Sequence, residues 1–327
     1  MNKHQIMLFS LIQKTLPPNF NMGSVISELL NISHDAAYRR IRGDKSIDFE
    51  EAVLLCNHFH ISLDSLAKVS DEKSIQCQYS PIDLNDLNAY IAYLHEMASS
   101  IESVRMAPDG ELIFTAADIP IFNYSAYKEL TLFKLFAWSN SVNSFTGNYS
   151  DFVKELDIPK LSNCFDAIVK NYQLCPSTEI WTDETIDRIL KLLYHHYEMG
   201  HLGNEDFPLL ICEQLWELLN TFYDWTGTGV KSSAEIPIKF YVSDVDLNNT
   251  FVLFRKNGTV NCDLKLFTIN HFDIFDQRFC HEMENWLNSA IQRSTFITGT
   301  AEKYRYKFFN EQRQKISYLV DKIMAKG

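Results

Sequence analysis

The chain has 327 residues, 46% of them hydrophobic and 22% charged, the composition of a folded protein with material for about two domains. Eleven Gly and nine Pro against 23 Phe, 15 Tyr and 5 Trp exclude a collagen-like or low-complexity chain, and no run approaches the roughly 18 to 20 apolar residues of a membrane span. The net charge of -12 argues against a protein that coats nucleic acid along its whole length. That charge is unevenly placed. Residues 1–70 hold seven bases and seven acids, so the remaining 23 bases and 35 acids carry the entire excess.

In chain order, the apolar run from Ile6 to Ile12 follows Lys3, is interrupted by Ser10 and is closed by Gln13 and Lys14 with no small-residue cleavage site after it. It reads as an amphipathic helix rather than a secretion signal, so the expected compartment is the cytoplasm and no membrane is expected as a partner. Val25, Ile26, Leu29 and Leu30 give a short apolar helix face; Asn31-Ile32-Ser33 is a tight break; Ser33 caps a helix over 34–42 that stops at Gly43. Asp48 and Glu51 have the spacing of a capping box for a helix that should bury Phe49, Val53, Cys56 and Phe59, and Ser62, Leu63 and Leu66 begin a last turn. Five short helices are thus expected over 1–70, followed by a polar linker over 71–81.

The body is expected over 82–327. From Asp83, apolar residues recur at Leu84, Leu87, Ile91, Leu94, Ala98 and Ile101, a heptad seam that could serve dimerisation or ordinary helix burial. A short apolar run at 112–114 precedes helical periodicity over 124–142, 165–174, 182–199 and 207–225. After Thr226-Gly227-Thr228-Gly229, read as a linker, the segments 236–242, 250–255 and 259–269 are β-rich, with Lys256-Asn257-Gly258 as a hairpin turn. Helices over 274–293 and 302–324 close the chain. The expected fold is mainly α: a five-helix N-terminal domain on a larger, mostly helical body with a small antiparallel sheet in the region 236–269.

The helix over 34–42 carries the clearest chemistry. At 100° per residue Ala37 and Ile41 point inward while Asp35, Arg39 and Arg42 point outward, with Tyr38 at the edge, Arg40 on the opposite flank and Lys45 just beyond. Guanidinium groups suit both bidentate contact with guanine and phosphate clamping. An intramolecular salt-bridge surface or a protein-docking face is the alternative use of the same charges.

The run Val25 to Ser33, the helix end Arg40-Ile41-Arg42-Gly43, the segment Ile47 to Glu51 and the closing Phe59 to Leu66 together resemble the Cro and phage-repressor type of helix-turn-helix, the xenobiotic-response-element-like regulators. The resemblance covers Met22 to Leu66. It implies an N-terminal domain that binds double-stranded DNA through the helix 34–42. The chain departs from the family at Met22-Gly23-Ser24, where the first motif helix usually opens with a Gln, and at Arg40, where an apolar residue is usual three before the glycine. Ser33, His34, Asp35, Tyr38 and Arg39 are then the candidate base-edge readers, and Arg40, Arg42 and Lys45 the candidate phosphate contacts.

The body offers weaker motifs. His195, His196 and His201 cluster near a helix end, but His196 and His201, five apart on a helix, would point about 140° away from each other. His281-Glu282 lacks the second His of a zincin motif, since Asn285 stands in its place. Asp244 and Asp246 fit a turn. The aromatic density from Phe122 to Phe145 could line an apolar pocket and is read as core. The seven cysteines have no CxxC pair and are read as free thiols. No catalytic residue, metal site or cofactor is expected. The expected function is a sequence-specific transcriptional regulator that binds DNA as a homodimer, with Leu84, Leu87, Ile91, Leu94 and Ile101 as the dimer seam and a body that oligomerises or senses an unidentified small-molecule effector. The alternative is an enzyme or interaction adaptor whose activity lies in the body, with the N-terminal domain as a targeting module.

Overall fold

A computed structural model describes residues 3–16, 21–59, 61, 63, 66, 75, 77–79, 81–83, 85–142, 145–204, 206–245, 247, 249–266 and 269–326. The chain divides into two units, Met1–Ile75 and Gln76–Gly327. The division falls within the expected linker 71–81, of which residues 71–74, 76 and 80 lie outside the described residues.

In the first unit, α1 (Lys3–Thr15), α2 (Met22–Leu29), α3 (His34–Ile41) and α4 (Phe49–His58) each turn a narrow apolar stripe to one core. That core is Leu8, Phe9 and Ile12 from α1, Ile26 from α2, Ala37 from α3, Leu55 and Cys56 from α4, and Leu66. The break between α2 and α3 is short because Asn31 takes φ 51°, a left-handed conformation that Asn tolerates better than most residues. Its neighbour Ile32 donates its N–H to the Ser27 carbonyl at 2.9 Å, which turns the chain into α3. Gly43, at φ 81°, ends α3 in the region that costs glycine least.

The Asp48–Glu51 capping box is present, with both reciprocal bonds. Phe49, expected inside, is instead 72% exposed. It stands at the first position of α4, six residues ahead of the helix's first fully buried side chain, Leu55. Of the expected last turn, Ser62 lies outside the described residues, while Leu66 is buried.

In the second unit the expectation of a mostly helical body with a small antiparallel sheet is overturned. Among the described residues, nine strands form a mixed sheet in the order β1-β8-β7-β6-β2-β3-β5-β4, with β9 on β5. The strands are β1 (Cys77–Tyr79), β2 (Glu111–Ala116), β3 (Ser177–Trp181), β4 (Val230–Lys231), β5 (Ile236–Val242), β6 (Phe251–Lys256), β7 (Thr259–Lys265), β8 (His271–Ile274) and β9 (Thr295–Phe296). The pairs β2–β3 and β3–β5 are parallel and the other pairs antiparallel. Parallel neighbours need long crossovers. Residues 117–176 supply the first, with α6 (Ile121–Tyr124), α7 (Lys128–Ser141), α8 (Tyr149–Lys154) and α9 (Ile158–Gln173). The second contains α10 (Asp187–Glu198) and α11 (Phe207–Thr228). Thr226 to Thr228 thus belong to a helix rather than to a linker, and Gly229, at φ 79°, ends it.

One sheet face takes Leu112, Phe114, Ala116, Trp181, Ile238 and Phe240 into the main core with most of the helices. The alternate residues Ile113, Ile180, Leu253, Cys262 and Ile274 point the other way, onto Cys280 and Leu287 of α12 (Gln277–Gln292). The central strand β3 is buried at all five positions. Its Glu179 is held there by bonds from Tyr172, from Ser177 at 2.9 Å and from the Trp181 indole at 3.3 Å. Burial raises the Glu179 carboxyl's pKa, and the buried ammonium of Lys231 opposes that shift.

The expected dimer seam is also corrected. On α5 (Leu87–Arg105), Leu94, Ala98 and Ile101 are buried in the main core of the same chain, and Leu87 and Ile91 lie against it. Leu84 lies outside the described residues. This stripe is covered by α9 and the sheet of the same chain, so the heptad spacing here marks intramolecular burial.

Candidate nucleic-acid interface

Ser33 accepts the Ala36 N–H at 3.3 Å and so begins α3. Asp35 in its first turn and Arg39 in its last match the polarity of the helix dipole. With Ala37 fully buried and Ile41 half-buried, the opposite face leaves Ser33, His34, Asp35, Tyr38, Arg39 and Arg42 exposed, and Lys45 is exposed just beyond. Arg42 pairs with Asp44 at 2.9 Å, each more than half exposed. An ion pair that open to water contributes little, so the guanidinium can exchange its partner for a phosphate at small cost.

Arg40 does not belong to that set, and its expected phosphate contact is corrected. Its side chain is 6% exposed and makes a two-pronged pair with Glu51, Nε to Oε2 at 2.9 Å and a terminal nitrogen to Oε1 at 2.6 Å. Glu51 Oε2 also accepts the Asp48 N–H at 3.3 Å, the return bond of the capping box. One carboxylate thus caps α4 and neutralises the buried end of α3. An arginine can stand at this buried position for a physical reason: its stem fills the space and its charged head meets a fixed partner.

Two further residues hold the frame. Gln5 of α1, 2% exposed, donates to the carbonyls of Arg40 and Lys45, both at 2.7 Å, and accepts the Ile47 N–H at 3.1 Å. A single amide thereby pins the chain on both sides of Gly43. Tyr38 donates its hydroxyl to the Asn21 carboxamide at 3.0 Å, and Asn21 also caps α2. A Cβ on Gly23 would come within 2.5 Å of the Tyr38 ring, so the glycine in Met22-Gly23-Ser24 lets a tyrosine lie against α2. Sequence reasoning found neither Gln5 nor Asn21. Gln5 carried no mark of its own, being one of several polar residues in an amphipathic helix.

In the body, α10 ends at Glu198, and the chain turns back through Gly200 at φ 69°. The expected divergence of His196 and His201 therefore fails, since it assumed one continuous helix. Their Nδ1 atoms lie 3.1 Å apart, with His196 buried between Phe133 and Phe136. His281 is exposed, beside Glu284. Asp246 lies outside the described residues. Asp244 helps line a cleft of about 940 Å³ at the carboxyl ends of β3 and β5, where open α/β sheets commonly bind ligands. Its walls are α10, with Asp187, Lys191 and Tyr194, and α13 (Glu302–Met324), with Tyr304 and Lys315. Lys315 bridges to Asp187 at 2.8 Å.

No helix among the described residues is long and apolar enough to cross a membrane. Comparison of the chain with protein-family models, with curated proteins and with solved structures gives no match.

Proposed function

We propose that the protein is a sequence-specific transcriptional regulator of the Cro and phage-repressor type that binds double-stranded DNA through α3. The observation that carries this reading is the exposed face of α3, where Arg39, Arg42 and Lys45 stand free of the core while Gln5 and the Arg40–Glu51 pair hold the backbone beneath them. A helix of eight residues spans about 12 Å, the width of the major groove. In this reading His34, Asp35 and Arg39 face base edges, Ser33 and Tyr38 orient the helix while bordering the same face, and Arg42 and Lys45 contact phosphates.

The protein acts as a homodimer in the cytoplasm. One small neutral domain can cover only a limited stretch of DNA, and the acidic remainder repels the same phosphates, so two copies are needed for useful affinity. Their surface of association lies elsewhere than on α5. The cleft at the carboxyl ends of β3 and β5 is the place for a small-molecule effector. Free thiols at all seven cysteines accord with a reducing compartment.

The test is selection from random duplexes with the full chain, followed by the Arg39→Ala, Arg42→Ala double variant. A lost bidentate base contact costs about 1–3 kcal/mol, roughly 5- to 150-fold in affinity. The phosphate contact should fall away uniformly across sequences. Unchanged affinity with native circular dichroism would refute the assignment of α3.

A further inference from the structure

On β7 and β8 the sheet face that elsewhere carries the apolar main core turns polar. Asp263 lies directly opposite Asp273, and Lys265 opposite His271, in an antiparallel register. Side chains alternate along each strand, so these four share one face, and Cys262 and Ile274 point to the other. The Tyr93 ring of α5 lies 5.6 Å from the His271 ring. Like charges directly opposite each other on paired strands repel, and Glu96 of α5 adds a third negative charge near Asp263. The neighbouring cation is committed elsewhere: Lys265 pairs with Asp118 at 3.3 Å.

The histidine is set up to complete the cluster. Its Nδ1 faces the Ile269 carbonyl at 3.4 Å. A proton held there leaves the Nε2 lone pair facing Asp273 Oδ1, 3.2 Å away. In that tautomer two lone-pair donors confront each other with the second carboxylate beside them, and one donor atom from each of the three residues lies within 4.8 Å of the others. An imidazole nitrogen anchored through its other nitrogen to a carbonyl is the common arrangement of a metal-bound histidine. Asp263 and His271 also line a cavity of about 90 Å³ walled by Tyr93, Phe122, Tyr124 and Trp138, which leaves room for water or a small ligand at the remaining coordination positions.

We propose that Asp263, His271 and Asp273 form a binding site for a divalent first-row transition ion, with open coordination positions facing the aromatic cavity. One imidazole and two carboxylates suit ions from manganese to zinc, whereas magnesium and calcium favour all-oxygen sets. The proposal is independent of DNA binding and concerns the body alone.

The test uses the full chain carrying Cys77→Ser, which removes its exposed thiol, stripped with chelator and titrated with Co²⁺ while the d–d absorption is followed. Calorimetry with Zn²⁺ and with Mg²⁺ runs alongside. The expected result is one Co²⁺ or Zn²⁺ per chain, a spectrum without thiolate charge-transfer bands, a higher melting temperature with Zn²⁺ and no comparable effect of Mg²⁺. His271→Ala and Asp263→Asn should each weaken Zn²⁺ binding at least tenfold. His271→Gln, closer in shape, serves as the check on folding and should also lose the Co²⁺ spectrum. Absence of a Co²⁺ spectrum in the parent chain, or equal Zn²⁺ affinity in folded His271→Gln, would overturn the site and leave protons as the groups that relieve the paired carboxylates.

Discussion

Replacing Glu51 by Ala isolates what holds α3 in place. The substitution leaves the Arg40 guanidinium, in a side chain only 6% exposed, with the Ala36 carbonyl at 3.3 Å as its remaining partner, and it removes the return bond of the α4 capping box. Breaking a buried pair from one side costs about 3–5 kcal/mol. Since Glu51 keeps 17% of its side-chain surface exposed, water can relieve part of the loss, and about 3 kcal/mol is the reasoned value. A unit of this size is stable by roughly 4–11 kcal/mol, and each kcal/mol moves its melting temperature by about 4–8 °C. The first unit of Glu51→Ala should therefore melt about 12–24 °C lower, read by hydrogen exchange at the α3 amides so that the body does not mask it. The double variant Arg40→Met, Glu51→Gln removes both charges, keeps an acceptor for the Asp48 N–H, and should recover most of the loss. In this double variant DNA affinity should stay within about twofold of the parent, since Arg40 faces the core and not the groove. Stability of Glu51→Ala within about 0.5 kcal/mol of the parent would refute the energetic argument. A tenfold loss of DNA affinity in the folded double variant would show that Arg40 contacts DNA and refute its placement in the core.

Leu94→Asp places a charge at a fully buried position of the main core and should abolish cooperative unfolding of the body or cause aggregation; a folded monomer, seen by sedimentation, would restore the idea of a dimer seam on α5. Burial, and secondarily the neighbouring His195 and His201, hold the His196 imidazole at about 4 against its usual 6.5. The folded state binds fewer protons than the unfolded chain between those values, so the contribution is complete above pH 6.5 and is lost as pH falls through about 4. Denaturant titrations from pH 7 to 4 should show a shallower decline in His196→Leu, and parallel curves would disprove the assignment. Asp118 is buried, which opposes its charge, yet Lys134 and Lys265 outweigh that effect and hold it down at about 2. Burial pushes Lys134 down to about 8. Asp118→Asn should destabilise the body at pH 7 by about 3 kcal/mol, with part of the loss recovered as the pH rises and Lys134 gives up its proton; a deficit that does not shrink between pH 7 and 9 would count against the pair.

Local order along the chain was legible wherever a short stretch determines its own conformation. The Ser33 cap, the Gly43 stop, the Asp48–Glu51 box and the Asn257-Gly258 turn, with φ of 52° and 71°, depend on neighbours a few residues away, and α13 buries Phe308, Phe309, Ile316, Leu319 and Ile323 at helical spacing. The exposed and buried faces of α3 followed from 100° of rotation per residue for every position except Arg40, whose fate depended on Glu51, eleven residues on. What lay beyond reach was decided by partners far apart in sequence. β3 gave no strand signal, because Ser177 and Glu179 interrupt its apolar residues and a parallel strand buried on both faces has no alternation to betray it. Its place in the sheet exists only because β2 and β5 flank it across crossovers of tens of residues. The heptad spacing on α5 is the same for a dimer seam and for a core helix, and only the presence of α9 and the sheet against it chose between them. Asp263, His271 and Asp273 carry no motif spacing, since a hairpin register rather than a helix turn brings them together. The sequence alone therefore determined caps, turns and helix faces, whose energies are local, while tertiary structure decided sheet order, the covering of α5 and the meeting of buried charges, because those energies arise between segments that only folding makes neighbours.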